Sequence, residues 1–135
     1  MIVSRERAEL NSPTDVGEHL RKILNKEDEL SREREHFWVI ILNTKNRVKL
    51  VELVSIGTIN YAVVHPREGF SRAIWNGATS LIVGHNHPSG DCKPSSDDIA
   101  LIKKLRETGS IIGIEVLDHV IIGDRTLSFK EEGLL

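Results

Sequence analysis

Two histidines separated by a single residue, His85 and His87, are followed by Ser95, Asp97 and Asp98, a spacing that can gather several metal-ligating side chains around one ion. Counted from the first histidine the pattern is H-x-H-x7-S-x2-D. Leu81-Ile82-Val83 just upstream form a short apolar run of the kind that makes a strand, and at a strand end residues i and i+2 point to the same side, so both imidazoles can reach one ion. Pro88, Gly90 and Pro94 then break regular structure, and Ser95 opens a segment with Ile99, Ile102 and Leu105 at helical spacing. This places Asp98 in the first turn of a helix beside the histidines. Two imidazoles and a carboxylate suit zinc, and three protein ligands leave a fourth tetrahedral position for water, as in catalytic rather than structural sites.

Each of these residues also has an ordinary structural use. Ser95 as N-cap with Asp98 three positions on reads as a capping box, and aspartates near a helix N-terminus are favoured by the helix dipole. Asp97 is the rival ligand. Cys92, the only cysteine, lies between the histidines and Asp98, where a thiolate would fill the fourth position and close the site; it is read instead as a solvent-exposed loop thiol. His19, His36, His65 and His119 are read as packed or solvent-facing side chains.

The wording HNHPSGDCKPSSDD resembles the JAMM motif of the MPN metalloprotease-like superfamily, and within it the RadC family. The resemblance extends to NTKNRV, SIGTIN, VHPRE and VLDHVIIGD and covers residues 35–135. It implies zinc held by His85, His87 and Asp98, Ser95 contacting the water or the developing oxyanion, and a glutamate near the start of the first core strand as general base. Glu35 fits that position, with Glu33 two residues upstream as the alternative. The implied activity is a zinc metallopeptidase that hydrolyses a peptide or isopeptide bond: zinc acidifies a water to a pKa of about 7, and Glu35 accepts the proton. The alternatives are a DNA-repair-associated or DNA-processing protein and a non-catalytic MPN interaction module. His85-Asn86-His87 spells HNH, but the nuclease motif of that name spreads its residues over a ββα unit. RadC-family proteins join this domain to an N-terminal helix-hairpin-helix-like region, whereas here 34 residues precede Glu35.

The elements that must position these residues follow from periodicity. Ser12-Pro13 begins a helix over about 13–27 with Val16, Leu20, Ile23 and Leu24 on one face, and a charged connection leads to Glu35. Residues 36–43 and 47–58 predict a hairpin around Asn43-Thr44-Lys45-Asn46. Pro66 begins a helix with Phe70, Ala73 and Ile74 inward, and Trp75 beside them is as suited to the core as to the surface. The motif strand at 80–86 and a helix at 95–108 ended by Gly109 come next. Short strands at 111–117, 119–122 and 126–129 complete the sheet. The expected domains are 1–34, an N-terminal helix and charged connection, and 35–135, the MPN domain.

This order of elements predicts an α+β or three-layer α/β fold. The resemblance implies a cytidine deaminase-like, JAB-MPN type: a curved mixed sheet flanked by helices, with zinc at one sheet edge. A chain of 135 residues suffices for one such core. Eighteen basic and twenty acidic residues give a net charge of −2, so nucleic acid binding has no global electrostatic support. A peptide or protein is the expected substrate. No apolar run approaches the roughly 20 residues of a spanning helix, so no membrane association and a cytoplasmic location are expected. The sequence carries no signal for the oligomeric state.

Overall fold

A computed structural model describes residues 1–60 and 63–135. Its elements, in chain order, are β1 (Ile2–Ser4), α1 (Pro13–Leu24), α2 (Glu29–Arg32), β2 (His36–Leu42), β3 (Val48–Ile56), α3 (Pro66–Trp75), β4 (Ser80–Asn86), α4 (Ser96–Ile112), β5 (Glu115–Ile122) and β6 (Thr126–Ser128). Among the described residues, six strands form one open mixed sheet in the order β1-β3-β2-β4-β5-β6. β4 and β5 run parallel, and the other neighbours are antiparallel. A parallel pair needs a crossover, and α4 supplies it between β4 and β5.

The central strands β2 and β4 are buried at every position, which explains why HFWVIIL reads as an unbroken apolar run: both faces of the sheet are covered. Side chains alternate between those faces. Phe37, Val39, Ile41, Leu81 and Val83 pack with α3 through Phe70 and Ala73 and with α4 through Leu101, Ile102 and Leu105. Trp38, Ile40, Leu42 and Ile82 face the other way, against Val16, Leu20 and Ile23 of α1. The expected mixed sheet flanked by helices is thus present. Residues 1–34 add β1, paired with β3, and α1, which covers one sheet face. The histidine motif lies where β4 ends, so the edge that carries it is the end of a central strand.

Several local expectations need correction. The hairpin turns as expected: Asn43 Oδ1 accepts from the Lys45 and Arg47 amides, and Asn46 takes a left-handed φ of 58°. However, α4 does not stop at Gly109. It continues to Ile112 and is capped by Gly113 with φ 78°. Gly109 is buried inside the helix, where an added Cβ would collide with the Ile114 carbonyl. Ile111 therefore belongs to helix, and the two strands expected from 111 to 122 are one, β5. On α3, Ile74 and Trp75 are 60% and 86% exposed, so its inward face is Gly69, Phe70 and Ala73. No described helix is long and apolar enough to cross a membrane.

Candidate metal centre

His85 occupies the penultimate position of β4 and His87 follows the strand, its amide still donating to the Ile122 carbonyl of β5. The strand end thus aims both rings at one point, their Nε2 atoms 2.8 Å apart. Asp98 arrives from the first turn of α4, with Oδ1 3.2 Å from His85 Nε2 and Oδ2 3.2 Å from His87 Nε2. Ligand atoms about 2 Å from an ion in a tetrahedral site lie roughly 3.3 Å apart, close to these spacings.

Hydrogen bonds behind the rings explain what the facing atoms must be. His87 Nδ1 lies 2.8 Å from the Asp91 carbonyl. A carbonyl only accepts, so the ring donates there and a neutral His87 presents a bare lone pair at Nε2. A second imidazole nitrogen, His85 Nε2, and the Asp98 carboxylate face the same point, and with His85 protonated at Nδ1 all three groups offer lone pairs there. Such a set can hold a cation at its centre, and its donor types suit zinc. The electrostatics agree. In the metal-free protein burial works against the Asp98 carboxylate, but hydrogen bonds donated by the protonated His85 and His87 rings and by the Ser95 amide outweigh it and hold the group far below the usual carboxylate range. The hydrogen bond that the protonated His87 ring donates to Asp98 raises its basicity above that of an ordinary imidazole, against the effect of burial.

Glu35 stands further out. One of its carboxylate oxygens and the two histidine nitrogens lie within 4.8 Å of one another, and this group of three could by itself hold a metal ion. Its carboxylate accepts a long hydrogen bond from the Ile59 amide, at 3.4 Å. Glu33 is the exposed C-cap of α2 and does not join the group. Asn86 explains how Glu35 is held. Its buried side chain reaches across to the preceding segment, Oδ1 accepting from the His36 amide at 2.6 Å and Nδ2 donating to the Arg34 carbonyl at 2.9 Å. The peptide groups on both sides of Glu35 are therefore tied to the residue between the two histidines.

Ser95 is the N-cap of α4. Its hydroxyl accepts from the Asp98 amide at 3.0 Å, and its own amide donates to Asp98 Oδ2 at 2.8 Å. The capping box and the approach to the histidines coexist because each carboxylate oxygen has two lone pairs. The Ser95 hydroxyl keeps its own hydrogen for another partner. Asp97, the rival ligand, points to solvent from the same turn. Access is one-sided: the side chains of His85 and Asp98 are 0% and 4% exposed, and that of His87 12%.

Cys92 is buried rather than solvent-exposed. Its thiol donates to the Arg125 carbonyl and packs in the apolar cluster, so the loop closes over it and it stays outside the group. The sequence reading also missed His119. This ring is fully buried on β5, with Nε2 2.7 Å from His85 Nδ1, and burial pushes its basicity well below the ordinary value. The register of the strands explains its place: Val83 pairs with His119 and His85 with Ile121, which puts His119 on the face of the sheet that carries His85.

Known proteins resemble this chain over most of its length. A family model described as the RadC-like JAB domain matches residues 10–134. A UPF0758 protein of Desulforudis audaxviator is 59% identical over 103 residues, covering 76% of this chain and 45% of its own. One of Desulforamulus reducens is 56% identical over 110 residues, 81% of this chain and 48% of its own. One of Clostridium acetobutylicum is 47% identical over 133 residues, 98% and 56% respectively. The chain thus spans about half the length of these curated relatives.

Proposed function

The chain belongs to the RadC-like JAB domain family, and from that premise and the geometry of the centre we propose that it is a zinc metallohydrolase of JAMM type, hydrolysing a peptide or isopeptide bond. The observation that carries this reading is the convergence of His85 Nε2, His87 Nε2 and the Asp98 carboxylate at 2.8–3.2 Å, with a second carboxylate, Glu35, nearby. His85, His87 and Asp98 would hold the ion. When bound, zinc would supply Lewis acidity toward a carbonyl and an acidified water.

The remaining roles fall to the chain's own groups. Glu35 accepts the proton of the attacking water, because its carboxylate is close to the histidines, keeps free lone pairs and is fixed through Asn86. The Ser95 hydroxyl donates to the substrate oxygen as negative charge develops there, a type of contact whose loss costs roughly 3 kcal/mol in comparable sites. The partner is a peptide or protein. Duplex DNA is expected to bind weakly and to be released steeply by salt, in keeping with the net charge of −2.

Elemental analysis and a peptide-library cleavage assay test the reading together. Wild type is expected to carry about one zinc per chain, as a single three-ligand site requires. Glu35→Gln should keep the zinc and lose most hydrolysis, Asp98→Asn should weaken zinc, and Glu33→Gln should change neither. Full zinc in a His85→Ala/His87→Ala double variant would remove the assigned site. Full cleavage by Glu35→Gln would remove the base.

A further inference from the structure

We infer that His119 is a positioning residue for the metal centre: its Nε2 accepts the Nδ1 hydrogen of His85, which fixes the tautomer and ring plane that present His85 Nε2 to a cation. The inference rests on the reading of His85 as a ligand and adds a residue that the motif does not contain.

The two histidine rings of the motif are supported differently. His87 donates its Nδ1 hydrogen to a backbone carbonyl, that of Asp91, the kind of partner that commonly orients a ligating imidazole. His85 is completely buried, and the group within reach of its Nδ1 is another imidazole, His119 Nε2 at 2.7 Å. A hydrogen bond between two imidazole nitrogens needs one donor and one acceptor. For His85 to offer a lone pair at Nε2 its proton must sit on Nδ1, so His119 must accept at Nε2 and carry its own proton on Nδ1. The surroundings of the His119 ring leave Nε2 as its polar contact. Its Nδ1 is buried without a hydrogen-bond partner among the described residues, and its ring lies between Phe129, stacked at 4.5 Å, and Phe37, edge-on at 6.1 Å. The two phenyl rings hold the imidazole plane, so the single polar contact of His119 is directed at His85. The parallel register of β4 and β5 sets the distance, since Val83 pairs with His119 two residues before His85.

Zinc affinity, measured by competition with a chromophoric chelator, tests this without a substrate. His119→Phe fills the space but has no acceptor, and His119→Gln can place an amide oxygen where Nε2 stood. His119→Phe is expected to bind zinc roughly 10- to 100-fold more weakly, the usual loss when the group orienting a ligand is removed, while His119→Gln recovers most of the affinity. Equal affinity of wild type and a folded His119→Phe would overturn the inference, and so would a folded His119→Gln as weak as His119→Phe. If His119→Phe fails to fold, 15N-detected histidine spectra of the wild type decide: His119 should be protonated at Nδ1 and His85 at Nδ1, and the opposite tautomer of His119 would overturn the assignment. A wild type that binds no zinc would instead remove the proposed function, and the same spectra of the metal-free protein would still decide whether His119 accepts from His85.

Discussion

Asn86 contributes no ligand atom, yet its amide is the link between the ligands and Glu35. With Asn86→Ala, the His36 amide would be left buried without its partner, which typically costs about 1–3 kcal/mol. Urea unfolding of metal-free protein should show that loss. Because both severed hydrogen bonds flank Glu35, hydrolysis should fall further than stability does, while zinc content stays near one per chain. Unchanged stability would mean that the clasp is not made in solution. At this scale His85, His87, Ser95 and an aspartate at 97 or 98 were legible from residue types and spacing, while Asp98 over Asp97 and Glu35 came from the family resemblance; His85, His87, Asp98, Ser95 and Glu35 stand at or beside one point. What could not be read was which neighbours support them. Asn86 looked like a spacer between histidines, Cys92 like a loop thiol and His119 like any packed histidine, because the contacts of all three are made with segments distant in sequence.

Turning to elements, α4 shows two glycines doing opposite jobs. Gly113 has a left-handed φ of 78° and open space around its Cα, whereas Gly109 is helical and pressed against the Ile114 carbonyl and Phe70. Helix propensity alone would make Gly109→Ala stabilising by about 1 kcal/mol. A backbone carbonyl in the path of the new methyl reverses that sign, because the turn into β5 would have to shift. Gly113→Ala should cost about 1 kcal/mol through the left-handed backbone, and Gly113→Asn less. Thermal unfolding of the three variants is expected to rank Gly109→Ala lowest, and a Gly109→Ala more stable than wild type would sink the close-packing argument. A sequence displays a glycine without saying which of these uses it serves, so the helix end was misplaced from Gly113 to Gly109. β5 was read as two strands for a related reason: Asp118-His119 interrupts an apolar run. Both are buried, Asp118 accepting from the Ser128 hydroxyl and the His119 and Lys130 amides. β1 was missed because three residues carry too short a pattern to detect.

For the molecule as a whole, the two covered sheet faces hold buried histidines that make stability depend on pH. His19 of α1 is buried on one side, and burial lowers its basicity, with Glu6 opposing. His119 is lowered on the other side. The unfolded chain returns both to about 6.5, so below that pH it holds protons that the folded chain lacks. Stability therefore rises with pH: these contributions are complete above about 6.5 and are lost as the pH falls. His87 acts in the opposite sense, since its raised basicity stabilises most at low pH and fades as the pH rises through its folded value. His119, fully buried and lowered well below the ordinary value, acts with His19 against His87, and a net loss on acidification is expected. Asp98 adds a second loss in the acid range, where a carboxylate that the fold holds ionised must be protonated. Urea unfolding with chelator present should thus show metal-free wild type less stable at pH 5.5 than at pH 7.5. His19→Gln should flatten that slope without abolishing it, because His119 still titrates unfavourably, and Asp98→Asn, which removes the hydrogen bond that raises His87, should steepen it while reducing the further loss below about pH 4, the ordinary carboxylate range. If His19→Gln has the same slope as wild type, α1 does not hold its histidine neutral and the packing of that face is not as described.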